Sequence, residues 1–160
     1  MAEVSTVGGK ITKGTASNHI NITKPNSPTC EAGYMYDGIW YSGYFQNGVC
    51  YGVETPSPNS NDQIDASIEG SIQNGSSNVF VEGKAVAFNG SKTIENDSYA
   101  LPSGWSYVSG KHSNANGTVS EGSSTVFVNG KAIARKGDKI TTHANSQTTI
   151  NEGSATVFAN

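Results

Sequence analysis

Residues 121–138 read EGSSTVFVNGKAIARKGD. Residues 74–91 read NGSSNVFVEGKAVAFNGS, and residues 152–160 read EGSATVFAN. One phrase is therefore written three times, the third time only in part. From the first copy to the second the offset is a constant 47 residues, so Gly75 meets Gly122, Val79 meets Val126, Phe80 meets Phe127, Gly83 meets Gly130 and Gly90 meets Gly137. From the second to the third it is 31, and Gly122 meets Gly153 while Phe127 meets Phe158. Repetition at such periods marks an architecture of like units and is settled before any other reading.

Each full copy reads as a β-hairpin. Asn129-Gly130 is a two-residue turn of the type that needs positive φ at both positions, and Glu82-Gly83 stands in the same place in the first copy. The turn sets Val126, Val128 and Ile133 on one face and Phe127 over Ala132 and Ala134 on the other. The same arithmetic in the first copy gives Val79, Val81 and Val86 against Phe80, Ala85 and Ala87. The third copy breaks off at Asn160, where its turn is due, and a strand without a partner is an exposed edge. Its other half lies at the start of the chain. Slid by 129 residues, AEVSTVGGKI falls on KAIARKGDKI, so that Val4 meets Ile133 and Gly8 meets Gly137. Residues 2–7 are thus expected to pair with residues 154–159. The fold class is all-β: a cone-like, pseudo-threefold arrangement of three hairpins, the third closed by the two chain ends. The segments 8–71, 90–118 and 137–149 leave the hairpins at one pole, and the turns and termini gather at the other.

Composition agrees. Of 160 residues only 34% are hydrophobic, 19 are glycine, and the net charge is −3, the profile of a turn-rich β protein with a thin core. The charge is too small and dispersed for a nucleic-acid partner. No apolar run approaches the length of a membrane span. The opening MAEVSTVGGK lacks a basic stretch followed by an apolar one, so synthesis in the cytoplasm without a signal peptide is expected.

His19, His112 and His143 fall one in each of the three loops at the same pole. Imidazole is the commonest metal ligand near neutral pH, and three converging ring nitrogens leave one position of a tetrahedral ion open. A thin core gains from such a staple, because an ion that binds only the folded state adds its binding energy to folding. Cys30 or Cys50 could supply a thiolate as fourth ligand; equally, the two could bond to each other.

The phrase G-S-x-x-V-F-V-N-G-K-x-x-A-R-x-G-D, followed by a loop histidine and a new G-S, resembles the proline-alanine-alanine-arginine (PAAR) repeat family. The naming stretch is degenerate here: Lys131-Ala132-Ile133-Ala134-Arg135 in the second copy, and Lys84-Ala85-Val86-Ala87-Phe88 in the first. The resemblance covers residues 1–20 and 70–160. It implies a small cone of hairpins seated on a trimeric β-helical spike, one copy per trimer, in a type VI secretion system, a contractile phage tail or a related particle. It implies zinc (Zn2+) near the apex, held by histidines and a cysteine. It further implies work at the tip of an extracellular or virion particle, with transient contact with a target cell envelope. His112 and His143 fall where the family places ligands. His19 follows Gly8-Gly9, where the family has Gly-Asp and a closer histidine.

On this reading residues 1–19 and 64–160 form the cone and residues 20–63 are an insertion. NITKPNSPT and ETPSPNSND read as linkers. Between them lies CEAGYMYDGIWYSGYFQNGVCYGV, whose Asp37-Gly38 and Asn47-Gly48 signal hairpin turns of a small three-stranded meander. Its aromatics, Trp40, Tyr41 and Tyr44 foremost, are candidates for a binding face, although so small a meander is expected to pack them on one another or on the cone. Three function classes result: a structural spike tip; a carbohydrate- or receptor-binding module using the aromatic insertion; and a glycan-cleaving enzyme using two of Asp37, Glu54, Asp62, Asp65, Glu95 and Asp97. No motif spacing supports the enzyme, and the expectation is that the chain is not one.

Overall fold

The computed structural model of the chain describes residues 1–31 and 33–160. Every regular element among them is a β-strand, and no helix is long and apolar enough to cross a membrane. The backbone falls into two compact units. The first comprises Met1–Ile20, Gln63–Ala100 and Ser109–Asn160, and the second Asn21–Asp62 with Leu101–Val108.

The first unit is built on the threefold repeat. Phe80 pairs with Ala85 across the Glu82-Gly83 turn, and Phe127 with Ala132 across Asn129-Gly130. All four turn residues have φ between 49° and 78°, as the two-residue turn requires. The third hairpin is made by the chain ends, with Ala2 opposite Ala159 and Glu3 opposite Phe158. Beyond that ladder the Val4 N–H donates to the Val157 carbonyl and the Ser154 N–H to the Val4 carbonyl. Val86 and Ile133 make the same two bonds in the other hairpins, with Val79 and Ser76, and with Val126 and Ser123.

A closed cycle of backbone hydrogen bonds ties the three together. The Ser5 N–H donates to the Ala134 carbonyl at 2.9 Å, Ala134 to Ala87 at 2.9 Å, and Ala87 back to Ser5 at 3.0 Å. A second cycle runs outside it: Val7 to Ala85, Asn89 to Ala132 and Lys136 to Glu3, each 2.8 Å. Three copies of one side chain meet near the axis, so only small ones fit there, and Ser5, Ala87 and Ala134 are fully buried. The G-S pair of each repeat has a matching cause. A Cβ on Gly75, Gly122 or Gly153 would lie within 3 Å of the opposing strand, closer than real atoms approach. The serine that follows accepts the N–H three residues on, from Val79, Val126 and Val157, and so satisfies a buried donor at the hairpin's entry.

Val4, Val86, Phe88, Val128, Ile133 and Ala159 form the buried cluster beside the axis. The expected faces follow the pairing: Val128 and Ile133 are buried, and Phe127 stands opposite Ala132. The Phe127 ring is nonetheless exposed, while Ala134 is buried at the axial cycle.

Segments expected to be loops carry much of the remaining sheet. Gly14–Lys24 and Ser60–Ile72 are strands of 11 and 13 residues, because Ala16, Ile20, Ile22 and Ala66, Ile68, Ile72 recur on one face among polar neighbours. Thr93–Ser98 pairs antiparallel with the second of these. On the other side Thr118–Val119, Lys139–Thr141 and Gln147–Thr149 form a three-stranded sheet. Ile11, Ile72, Val119, Ile140 and Ile150 are buried between these sheets.

In the second unit the insertion is a run of antiparallel hairpins. Its pairing differs from one three-stranded sheet: Tyr34–Tyr36 pairs with Ile39–Tyr41, Tyr44–Gln46 with Val49–Tyr51, and Thr29–Glu31 with Val53–Thr55. Each two-residue turn closes its own ladder of three residue pairs, and the Cys30–Cys50 disulfide ties the outer ladder to the second hairpin.

Candidate metal centre

Thr93–Ser98 reads TIENDS, and alternation sends Thr93, Glu95 and Asp97 to the buried side of the sheet. In the other repeats the position of Thr93 is held by Ile11 and Ile140. Here a polar column replaces the apolar one. The Thr93 hydroxyl donates to Glu95 Oε1 at 2.7 Å and accepts the Gly117 N–H at 3.0 Å. Glu95 Oε2 accepts both the backbone N–H of His143, at 2.9 Å, and its ring Nδ1–H, at 2.6 Å. With that proton on Nδ1, the Nε2 lone pair is free and faces Asp97.

The three histidines come from three different parts of the repeat. His19 lies on Gly14–Lys24 directly after Asn18, which takes positive φ and donates its N–H to Asp65 Oδ1. His112 precedes Thr118–Val119 and exchanges backbone bonds with Asp97: its N–H donates to Asp97 Oδ2 at 2.8 Å, and its carbonyl accepts the Asp97 N–H at 3.0 Å. His143 sits in the tight turn between Lys139–Thr141 and Gln147–Thr149. The structure brings all three together around Asp97. His19 Nε2 is 3.0 Å from Asp97 Oδ2 and 3.1 Å from His112 Nδ1. His112 Nδ1 is 3.3 Å from Asp97 Oδ2, and His143 Nε2 is 3.1 Å from Asp97 Oδ1. One ligand atom from each of the four lies within 4.8 Å of the others.

Two of these atoms test whether the group suits an ion. Asp97 Oδ1 and His143 Nε2 are buried and make no hydrogen bond, although they are close enough for an ion pair. A lone pair facing a carboxylate oxygen inside a protein is costly unless a cation stands between them. Ligand atoms at the corners of a tetrahedron with bonds of about 2.0–2.1 Å lie roughly 3.3–3.4 Å apart, close to the 3.0–3.3 Å among His19 Nε2, His112 Nδ1 and Asp97 Oδ2. Burial acts to raise the Asp97 pKa, but the His112 N–H and the neighbouring His143 and His19 rings outweigh it and hold the carboxyl below its ordinary range. The group can therefore hold a metal ion, with Glu95 as the outer carboxylate that orients a ligating imidazole. Asp97 and His143 are shielded, and the His112 side chain is 53% exposed.

The cysteines do not join this group. Cys30 and Cys50 are bonded to each other in the second unit, and among the described residues no cysteine is free. A disulfide sulfur is not a thiolate, so neither fills the fourth position; Asp97 stands there instead. Sequence reasoning grouped Asp97 and Glu95 only among scattered acids. The available signal was the exchange of Ile for Thr93 at the head of an alternating T-x-E-x-D run. Trp40, Tyr41 and Tyr44 stand on the hairpins of the second unit. The expectation that such aromatics pack on one another or on the cone is met only in part: Trp40 is 57% exposed, and Tyr41 and Tyr44 are exposed as well. Tyr44 stacks on Tyr51 with ring centroids 5.3 Å apart.

A threefold β unit closed through its own termini, with histidines from three arms gathered on one carboxylate, defines a class of small all-β repeat protein. The family profile of the PAAR motif matches residues 109–160, a stretch that takes in the second hairpin, His112 and His143. Residues 109–160 are thus similar to the PAAR repeat. No curated protein matches it.

Proposed function

We propose that this chain is the structural tip of a contractile injection system or phage tail, one copy capping the distal end of a trimeric β-helical spike and sharpening it to pierce a target envelope. PAAR spike-tip proteins are structural rather than catalytic, and spike trimers are their usual seat. The observation that carries the proposal is a set of three exposed phenylalanines at equivalent positions of the repeat. Phe80, Phe127 and Phe158 are 57%, 60% and 48% exposed at the hairpin ends. A true trimer offers three identical surfaces, and a chain with three like arms can meet all of them at once. The end that carries them is braced as a ring. Glu82 accepts from the Ser154 and Thr156 hydroxyls, Asn129 bonds to Ser76 and Asn78, and the Asn160 carbonyl accepts from Ser123.

Residues 1–19 and 64–160 supply the tip on this reading, and residues 20–63 ornament it. His19, His112 and His143 hold zinc, with Asp97 as the fourth donor. The ion joins three segments whose burial alone is thin.

A Phe80→Ala/Phe127→Ala/Phe158→Ala chain is expected to fold normally and to lose its seat. Titrated against a purified trimeric β-helical spike that binds the wild-type chain, its Kd should rise by at least roughly thirtyfold, the equivalent of about 2 kcal/mol for buried aromatic anchors. An unchanged Kd would remove this face from the interface.

A second reading is favoured by the exposure of Trp40 and its neighbours: the insertion binds carbohydrate or a receptor. Glycan-array binding that a Trp40→Ala chain loses is the expected result. Equal signals from both chains, or none from either, would set this reading aside.

A further inference from the structure

The only cysteines of the chain are engaged with each other, their Cα atoms 5.6 Å apart in the second unit. The donor cluster of the first unit consequently contains nitrogen and oxygen alone. Thiolate is the soft ligand and also the one that oxidants attack, passing to sulfenic acid and beyond. Imidazole and carboxylate do not follow that route. Asp97 occupies the fourth position, with Oδ2 toward His19 and His112 and the unbonded Oδ1 facing His143. Its carboxylate is held in place by the His112 N–H, on a strand paired along its whole length. Glu95 brings a second, fully buried carboxylate to the back of His143. Two buried carboxylates beside three neutral imidazoles balance a doubly charged cation. Such a set suits divalent zinc, cobalt, nickel or iron rather than copper(I) or an iron–sulfur cluster.

We propose that this is a thiolate-free centre that keeps its divalent ion under the oxidising conditions in which the disulfide persists. Metal and disulfide are then chemically independent staples, one in each unit: oxidants leave the first intact, and reductants open only the second. The inference rests on the metal reading above and adds the ligand class and its response to redox conditions.

The full chain loaded with cobalt(II) tests the ligand class. The expected spectrum has weak d–d bands and no sulfur-to-cobalt charge-transfer band in the near ultraviolet. The zinc-loaded chain is then treated with hydrogen peroxide beside a chromophoric zinc chelator. The wild type should retain its ion. An Asp97→Cys chain should release it, because the ligating thiolate attacks peroxide, the O–O bond breaks, and sulfenic acid and hydroxide form. A phosphine reductant, ending as the phosphine oxide, should open Cys30–Cys50 to two thiols and leave the zinc bound. A charge-transfer band, zinc loss from the wild type on peroxide, or zinc loss on reduction would each overturn the proposal while leaving a metal site in place. A chain that binds neither zinc nor cobalt would overturn the metal reading itself, and this inference with it. Should Asp97→Cys fail to fold, the cobalt spectrum and the wild-type peroxide arm decide without it.

Discussion

A Val4→Asp chain is expected not to fold. Val4 is 1% exposed and packs with Val86, Phe88, Val128, Ile133 and Ala159. A carboxylate there has no partner, and burying an unpaired charge costs several kcal/mol out of a total stability of about 5–15 kcal/mol. The milder Val4→Ala removes two methyl groups and should cost about 2 kcal/mol. Circular dichroism melts and amide dispersion read both effects. The sharper comparison is among equivalents. Val86→Asp and Ile133→Asp should be as damaging as Val4→Asp, because the three positions make the same hydrogen bonds in the three hairpins. A Val4→Asp chain that melts like the wild type, beside a Val86→Asp chain that does not fold, would show that the chain ends do not form the third arm.

The second large effect concerns the ion. With zinc in 100-fold excess over its Kd, binding to the folded state alone adds about 2.7 kcal/mol, which raises the melting temperature of a chain this size by about 5–10 °C. His112→Ala separates that term from packing. The His112 side chain is half exposed, and the bond that pins Asp97 comes from its backbone N–H, which the variant keeps. The metal-free variant should therefore melt close to the metal-free wild type, and the upward shift on adding zinc should vanish. His143→Ala is less clean. It also leaves Glu95 Oε2 without its ring partner, so the metal-free form should be weaker as well. A His112→Ala chain that still gains several degrees from zinc would exclude this residue from the ligand set.

The repeat made the fold legible because position in a repeat is position in space. The offsets of 47, 31 and 129 residues brought Val4, Val86 and Ile133 into one layer. The pairing of Ala2–Glu3 with Phe158–Ala159 follows from the same arithmetic. What the repeat does not fix is which way an edge residue turns. The pattern set Phe127 on one face with two alanines but did not say that the ring would stay outside while Ala134 is buried at the axis. The strands at 14–24 and 60–72 were hidden for another reason: their partners lie far along the chain, and short apolar residues among Asn, Ser and Thr give a weak local signal. In the site, the histidines were visible because they are rare and fall one to a loop. Asp97 and Glu95 were not. A carboxylate in an alternating strand reads as solvent-facing until the sheet that buries it is known, and the cysteines offered a more familiar fourth donor.

The most direct test of the account is the metal content of the purified, gel-filtered chain by plasma mass spectrometry, read together for the wild type and for His19→Ala, His112→Ala and His143→Ala. His19 is the discriminating member, since it reaches the site from the arm that the chain ends close. The account requires one divalent ion per wild-type chain and none in any of the three variants. A wild type loaded with zinc and found empty, or a His19→Ala chain that keeps its full complement, would contradict it.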